Sequence, residues 1–323
     1  VVAGVDVSLA PPLDRFCFQP PSNQVMRDTA VRQCLSLFEG LVPDSVAFPL
    51  FLLPYLSVLT DAGITVWLYG PTGGGKTELA SLAQRHFGPE MDPGHLPGSF
   101  SSTGNSLEGL GFLAKDTLLV IDDFKPLGST SDMNRQFAEL DRVLRAQANR
   151  SGRGRARQDG TLRVPKPPRG TFLCTGEDLP PNESLLARMI PVRLEDGDVD
   201  FSSLTTHQVA SSQLSIGMPA FVQWASGKHG PLRKSLQQKA EFNRAVIVHQ
   251  VGEHRRCATH AGLLEATLEV VVEFFTEIGV LEEQEARKFQ ARGKAAIAEA
   301  QRNQAGLVAD EDPATLYMDL LRT

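Results

Sequence analysis

The chain has no paired cysteine motif. Cys17, Cys34, Cys174 and Cys257 are scattered through 323 residues with no C-x-x-C among them. That suits reduced thiols in a cytosolic compartment better than a disulfide framework. A membrane-length apolar run is also missing. The longest apolar stretch, 46–59, is 14 residues long and carries Pro49 and Pro54, against the roughly 20 residues a bilayer span needs, so it reads as buried helix. There is no internal repeat and no low-complexity tract, which argues against a solenoid or a disordered linker. The first residues, Val1-Val2-Ala3-Gly4, include neither Met nor the basic start of a signal peptide, and a piece of a longer protein is expected. Positive charge is in deficit, with 32 Lys and Arg against 38 Asp and Glu. The deficit argues against a broad nucleic-acid surface, but the charge is uneven. Between 150 and 169 stand Arg150, Arg153, Arg155, Arg157, Arg163, Lys166 and Arg169 against Asp159 alone. A focused contact with a polyanion would look like this on an otherwise acidic protein. The rest of the composition, 41% hydrophobic and 22% charged, suits a soluble globular chain of about two domains.

The chain is organised around residues 64–77. An apolar strand there runs into Gly70-Pro71-Thr72-Gly73-Gly74-Gly75-Lys76-Thr77, which fits G-x-x-x-x-G-K-[ST]. The spacing has a mechanism. Glycines let backbone N–H groups close around phosphate oxygens, Lys76 reaches the β- and γ-phosphates, and Thr77 ligates Mg²⁺. A helix with Leu79, Leu82, Ala83 and Phe87 on its apolar positions follows and aims its N-terminus at the anion. Forty-five residues beyond Thr77, the apolar strand 117–121 ends in Asp122 and Asp123. Asp122 is placed to hold Mg²⁺ through water, and Asp123 to orient or deprotonate an attacking water. ATP hydrolysis is therefore expected.

Read in order, residues 1–23 are Pro-rich and read as the tail of a preceding domain or an extended linker. Helical spacing then runs from Arg27 to about Leu59 with a break at Pro43. A short strand at Ser99–Ser102, a helix over 105–113 and a helix over 133–149 flank the carboxylate strand. In the basic stretch, Asp159-Gly160 predicts a two-residue hairpin turn, and Arg153, Arg155 and Arg157 alternate onto one face. Such a ribbon suits phosphate backbones and carries no base-reading constellation. The strand 171–177 should lie beside the carboxylate strand and bring Thr175 and Glu177 near the γ-phosphate. Arg188, in Leu185-Leu186-Ala187-Arg188, precedes the strand 189–194 and reads either as a surface residue or as one that reaches a neighbouring subunit's nucleotide.

Phosphate loop, acidic strand, helix, basic hairpin, polar-ended strand and Leu-Leu-Ala-Arg, in that order, resemble the AAA+ ATPases of the clade that holds superfamily 3 and minichromosome-maintenance helicases. The hallmark of that clade is a hairpin inserted just before the sensor strand. The likeness is nearest to the helicase-like ATPases of mobile elements and phages, often joined to primase-polymerase modules, and it covers about residues 30–225. It implies an α/β P-loop NTPase core with a central parallel sheet, a helical lead-in (1–60), the core (61–200) and a C-terminal helical lid (201–323). It also implies a homo-hexameric ring with ATP and Mg²⁺ at subunit interfaces and hairpins lining a channel for single-stranded or forked DNA. By this resemblance Lys76 and Thr77 are the phosphate-loop pair, Asp122 the Mg²⁺ carboxylate, Asp123 the catalytic carboxylate, and Arg188 an arginine finger acting in trans. Arg153, Arg155, Arg157, Arg163 and Lys166 would face the translocated strand. Thr175 and Glu177 stand where such proteins usually carry Asn, and Asp123 where many carry Glu.

Beyond Asp198 helices are expected over 203–212, 217–225, 232–248, 261–278, 282–304 and 313–321, the last opened by Asp312 and Pro313. Arg255 and Arg256 read as a solvated basic turn or as second-sensor arginines. His254, Cys257 and His260 lack a fourth partner for a metal. Leu268, Val271, Val272 and Phe275 read as core. Two rival functions remain at this point, a loader or protein remodeller and a nucleotide-switched DNA-binding scaffold. The absence of Phe, Tyr and Trp from the hairpin argues against a remodeller that grips with pore aromatics.

Overall fold

The computed structural model describes residues 8–61, 63–154, 156–180, 183–251 and 255–310. Helix α1 (Gln24–Leu35) starts at Asn23, whose side chain accepts the Met26 N–H at 2.8 Å. Helix α2 (Asp44–Leu59) opens after Pro43, the break expected from the sequence. It is apolar on nearly every face and is accordingly buried almost throughout, prolines included.

The core follows as β1 (Thr65–Tyr69), α3 (Lys76–Gln84), β2 (Gly98–Ser99), α4 (Gly104–Leu113), β3 (Leu118–Phe124), α5 (Thr130–Asn149), β4 (Thr171–Gly176), α6 (Glu183–Leu186) and β5 (Ile190–Arg193). The described strands form one parallel sheet in the order β2-β3-β4-β1-β5. Parallel strands are covered on both faces, so period-two alternation here sorts apolar residues between two cores. Val66, Leu68, Leu118, Val120 and Leu173 join α2, α3 and the C-terminal helices in one core. Trp67, Leu119, Ile121, Phe172 and Cys174 join α4 and α5 in the other.

Two buried glutamines complete the backbone pairing. Gln84 donates to Leu118 O at 3.0 Å and accepts the Val120 N–H at 2.8 Å. It satisfies the edge of β3 where the two-residue β2 does not reach. Gln147 donates to Ile64 O and Gly170 O at 3.1 and 2.7 Å, tying together the entries of β1 and β4.

Helices α7 (Phe201–Ala210), α8 (Leu214–Ser226), α9 (His229–Val251), α10 (Arg255–Glu277) and α11 (Glu283–Asp310) complete the described chain. Leu268, Val271 and Phe275 are buried, in keeping with a core role.

Several expectations need correction or fall outside the described residues. The short strand is Gly98–Ser99 rather than 99–102. Helix α10 begins at Arg255, so Arg255 and Arg256 lie in its first turn and not in a preceding loop. The basic stretch is a ribbon with one antiparallel bridge, Ala156 to Leu162. Its turn has three residues and not two. Arg157 N–H donates to Thr161 O at 2.7 Å, Gly160 N–H donates to Arg157 O at 3.1 Å, and only Gly160 takes a positive φ, 80°. A two-residue turn over Asp159-Gly160 would need positive φ at Asp159 as well. Asp159 instead uses its carboxylate to accept from the Thr161 N–H and hydroxyl. Arg155, His254 and the expected helix 313–321 lie outside the described residues.

Candidate nucleotide site

The sequence delivers two functional segments to one edge because β1 and β3 run parallel: the loop 70–77 leaves the C-terminal end of β1, and Asp122 and Asp123 end β3. At Gly70 any side chain would meet Leu194 O at 2.1 Å, so only glycine lets the loop turn against β5. Gly75 caps α3 with φ 87°, again a glycine conformation. Lys76 Nζ donates to Gly70 O and Pro71 O at 2.8 and 2.7 Å, which curls its ammonium over the loop. Burial lowers its pKa from the ordinary value, opposed by the charges of Glu177, Asp122 and Asp123.

The Thr77 hydroxyl lies 3.1 and 3.2 Å from the two Asp122 carboxylate oxygens. A hydroxyl and a carboxylate brought together at the phosphate edge are hard oxygen donors of the kind Mg²⁺ takes. Strand β4 sits between β1 and β3, and this places Thr175 among the same groups. Its buried hydroxyl donates to Asp122 Oδ1 at 2.5 Å and accepts the Asp123 N–H at 2.9 Å. Asp123 lies at a register shift in the β3–β4 pairing and takes φ 62°, a conformation costly for a residue with a side chain. The Thr175 contact helps to fix it there.

Glu177 also reaches the loop, but through other side chains. It accepts the Thr72 hydroxyl and the Lys125 ammonium, the latter at 2.7 Å. The hydrogen bonds from Lys125 and then Thr72 hold the Glu177 carboxyl below its ordinary pKa, and Glu177 in turn raises that of Lys125. Lys125 was not singled out from the sequence, although it stands two residues past Asp123 at the end of the same strand. Phe201 was also missed. It is exposed, with its ring beside Gly75, and no local pattern announces it.

Arg188 is not brought to this edge. It precedes β5, whose Ile190 pairs with Val66, so it lies at the N-terminal edge of the sheet. There it lines a cleft of about 200 Å³ with Gly63, Ile64, Asn149, Arg256 and Thr259. Its Nη1 donates to the Ser184 carbonyl and hydroxyl, while its Nε is buried without a hydrogen-bond partner among the described residues. Burial, then the charges of Arg256 and Arg145, lower its pKa. Arg256 shares that cleft and is likewise remote from the phosphate loop of its own chain. Arg153, Arg157, Arg163 and Lys166 are all exposed on the ribbon. The cross-strand bridge puts Ala156 and Leu162 on one face and the adjacent Arg157 and Arg163 on the other, and Leu162 and Val164 are 77% and 81% exposed.

Residues 41–167 match DUF927, a domain of unknown function. No curated protein matches the chain in sequence. Among solved structures, the chain is similar to "SCCmec type IV Cch - active helicase", with a TM-score of 0.53 at 13% identity over 89% of this chain and 53% of that one. The fold is that of a P-loop NTPase core. Two JCV helicase structures match more distantly, with TM-scores of 0.33 and 0.31 at 15% and 16% identity, over 84% and 86% of this chain and 65% of theirs in both cases. The chain thus spans about half the length of the first of these structures. Its described residues contain no helix long and apolar enough to cross a membrane.

Proposed function

We propose that the chain is the motor part of a ring-forming, ATP-dependent DNA helicase or translocase serving a mobile element or phage. The observation that carries this reading is the meeting of Lys76, Thr77, Asp122, Asp123 and Thr175 at the C-terminal edge of a P-loop core. The fold similarity to a helicase of SCCmec supports the DNA side. In this reading the loop 70–77 cradles the triphosphate, and Lys76 neutralises its terminal oxygens. Thr77 and Asp122 hold Mg²⁺, which supplies charge neutralisation at the transferring phosphoryl group. Asp123 orients the attacking water while Thr175 fixes the Asp122 carboxylate and the Asp123 backbone. Arg153, Arg157, Arg163, Lys166 and Arg155 meet the DNA backbone, and Arg188 serves the nucleotide of an adjacent subunit. We divide the chain into a lead-in (1–60), the ATPase core (61–200) and a lid (201–323), with a primase-polymerase module as its partner.

Steady-state ATP hydrolysis with and without single-stranded DNA tests the reading, for wild type, Lys76→Ala and a variant with Arg153, Arg157 and Arg163 changed to Ala. DNA stimulation in wild type, its loss in the arginine variant and silence in Lys76→Ala are expected. Turnover in Lys76→Ala would remove the site assignment, and indifference to DNA in wild type would remove the translocase. One observation favours a second reading, a loader or remodeller: the aliphatic face of the ribbon, Leu162 and Val164, is exposed and suited to gripping an apolar partner. Strand separation in a forked-duplex assay decides between the two.

A further inference from the structure

Five ionisable side chains interact at the mouth of the phosphate loop, and the function proposed above uses only three of them. Lys76, Asp122 and Asp123 are used; Lys125 and Glu177 are not. Their positions are specific. Lys125 follows directly on the last residue of β3, and Glu177 directly on the last residue of β4. Neighbouring parallel strands therefore deliver a cation and an anion side by side at the phosphate edge. The Lys125 ammonium is 2.7 Å from Glu177 Oε1, and the same oxygen accepts the hydroxyl of Thr72, a residue of the loop itself. The carboxylate is thus fastened to the loop beside the place where a terminal phosphate would come, and the Lys125 ammonium is bound directly to it while Lys76 adds a weaker charge.

We propose that Lys125 is the residue that distinguishes a nucleoside triphosphate from a diphosphate, and that Glu177 holds it aside while the site is empty. The proposal rests on the reading of residues 70–77 as a nucleotide site. A γ-phosphate entering beside Thr72 meets the Glu177 carboxylate as a like charge. Lys125 removes the conflict by leaving Glu177 for the phosphate oxygens. The exchange is favourable in direction because the existing pair is exposed, 43% at Lys125 and 33% at Glu177, and exposed ion pairs contribute little. A terminal phosphate carries more charge than a carboxylate and offers three acceptor oxygens to one ammonium. A diphosphate ends one phosphoryl group short and leaves the Lys125–Glu177 pair in place. The Thr72–Glu177 contact then makes the loop sense the exchange, because Glu177 loses its cation when Lys125 moves.

The test is calorimetric titration of the chain with ADP and with a non-hydrolysable ATP analogue, both with Mg²⁺, for wild type, Lys125→Ala, Lys125→Arg and Glu177→Gln. Both side chains are partly exposed, and a thermal melt of each variant verifies folding. Lys125→Ala should weaken the triphosphate about tenfold and leave ADP within twofold, and Lys125→Arg should recover part of the loss. Glu177→Gln, which frees Lys125, should tighten the triphosphate severalfold without changing ADP. Equal effects of Lys125→Ala on both nucleotides, or no effect on either, overturn the proposal while leaving the site reading intact, since the pair would then only tie two strand ends together. Failure of wild type to bind either nucleotide overturns the site reading and this proposal with it.

Discussion

Thr175 is a small residue with two consequences. Its buried hydroxyl is the shared partner of Asp122 Oδ1 and of the Asp123 backbone. Thr175→Val keeps the shape and removes both bonds, which leaves the Asp123 N–H without this partner and Asp122 Oδ1 with the Thr77 hydroxyl, and should cost about 1–3 kcal/mol of stability. If Thr175 positions the carboxylates, turnover should fall about 10- to 100-fold while ATP affinity stays within severalfold, and Thr175→Ser should restore turnover. A valine variant with normal turnover would reduce Thr175 to packing. His86 gives a second residue-scale prediction. It is fully buried, its Nδ1 donates to Ala83 O at 3.0 Å, and Nε2 has no partner among the described residues. Burial lowers its pKa to about 4 from the 6.5 of an open imidazole. The unfolded chain therefore binds the proton first as pH falls. The stability that His86 contributes is complete above pH 6.5 and declines toward pH 4, by up to about 1.4 kcal/mol per pH unit. Urea midpoints at pH 7 and pH 5 should differ more in wild type than in His86→Phe; equal differences would show that other groups dominate. At this scale the sequence was legible where function is local. The loop 70–77 and the pair Asp122-Asp123 announce themselves by spacing. The left-handed φ of Asp123 does not, because it depends on a register shift against β4, and Lys125 gains its partner only when β3 and β4 lie side by side.

The basic ribbon shows what alternation can and cannot reveal at the scale of an element. Its two-faced character is written in the sequence, Arg153 and Arg157 on one side and Ala156 and Leu162 on the other, because a strand's side chains alternate strictly. Its turn was misread because Asp-Gly fits more than one hairpin loop, and the choice fell to the Asp159 carboxylate and Thr161. Most helices of the described residues were legible from apolar periodicity and α2 from its long apolar run, while the expected helix 313–321 lies outside them. The two-residue β2 was blurred, since a strand so short has no pattern, and its shortfall is met by Gln84, whose role depends on where α3 packs. If the arginine face lies on DNA, each guanidinium on a phosphate displaces a counterion. Changing Arg153, Arg157 and Arg163 to Ala should then lower the slope of log affinity against log salt for single-stranded DNA by roughly 2, at about 0.7 per contact. Fluorescence anisotropy between 50 and 300 mM salt measures it, and an unchanged slope would place the nucleic acid elsewhere.

At the scale of the molecule, the polarity of the sheet sets the strongest constraint. Parallel strands put every phosphate-binding group at one edge and Arg188 at the other, separated by the five residues of β1, roughly 16 Å at strand rise. Arg188 therefore has no route to the nucleotide of its own chain, and if it takes part in hydrolysis it does so across a head-to-tail interface. That geometry makes a prediction by mixing. Lys76→Ala has a defective loop and an intact Arg188, and Arg188→Ala the reverse, so each alone should bind DNA but hydrolyse little ATP. In a one-to-one mixture that exchanges subunits, an interface works only where an intact loop meets an intact arginine. With random placement this holds at about one interface in four, so hydrolysis should recover to about a quarter of wild type if interfaces act independently. Size-exclusion chromatography would establish that the mixed oligomer forms. Recovery near that level would assign Arg188 to the neighbouring subunit's nucleotide. Full activity of Arg188→Ala alone would make the residue a structural anchor of α6 through Ser184, and a mixed oligomer with no recovery would show that Arg188 and Lys76 must belong to the same subunit, contrary to the sheet's polarity.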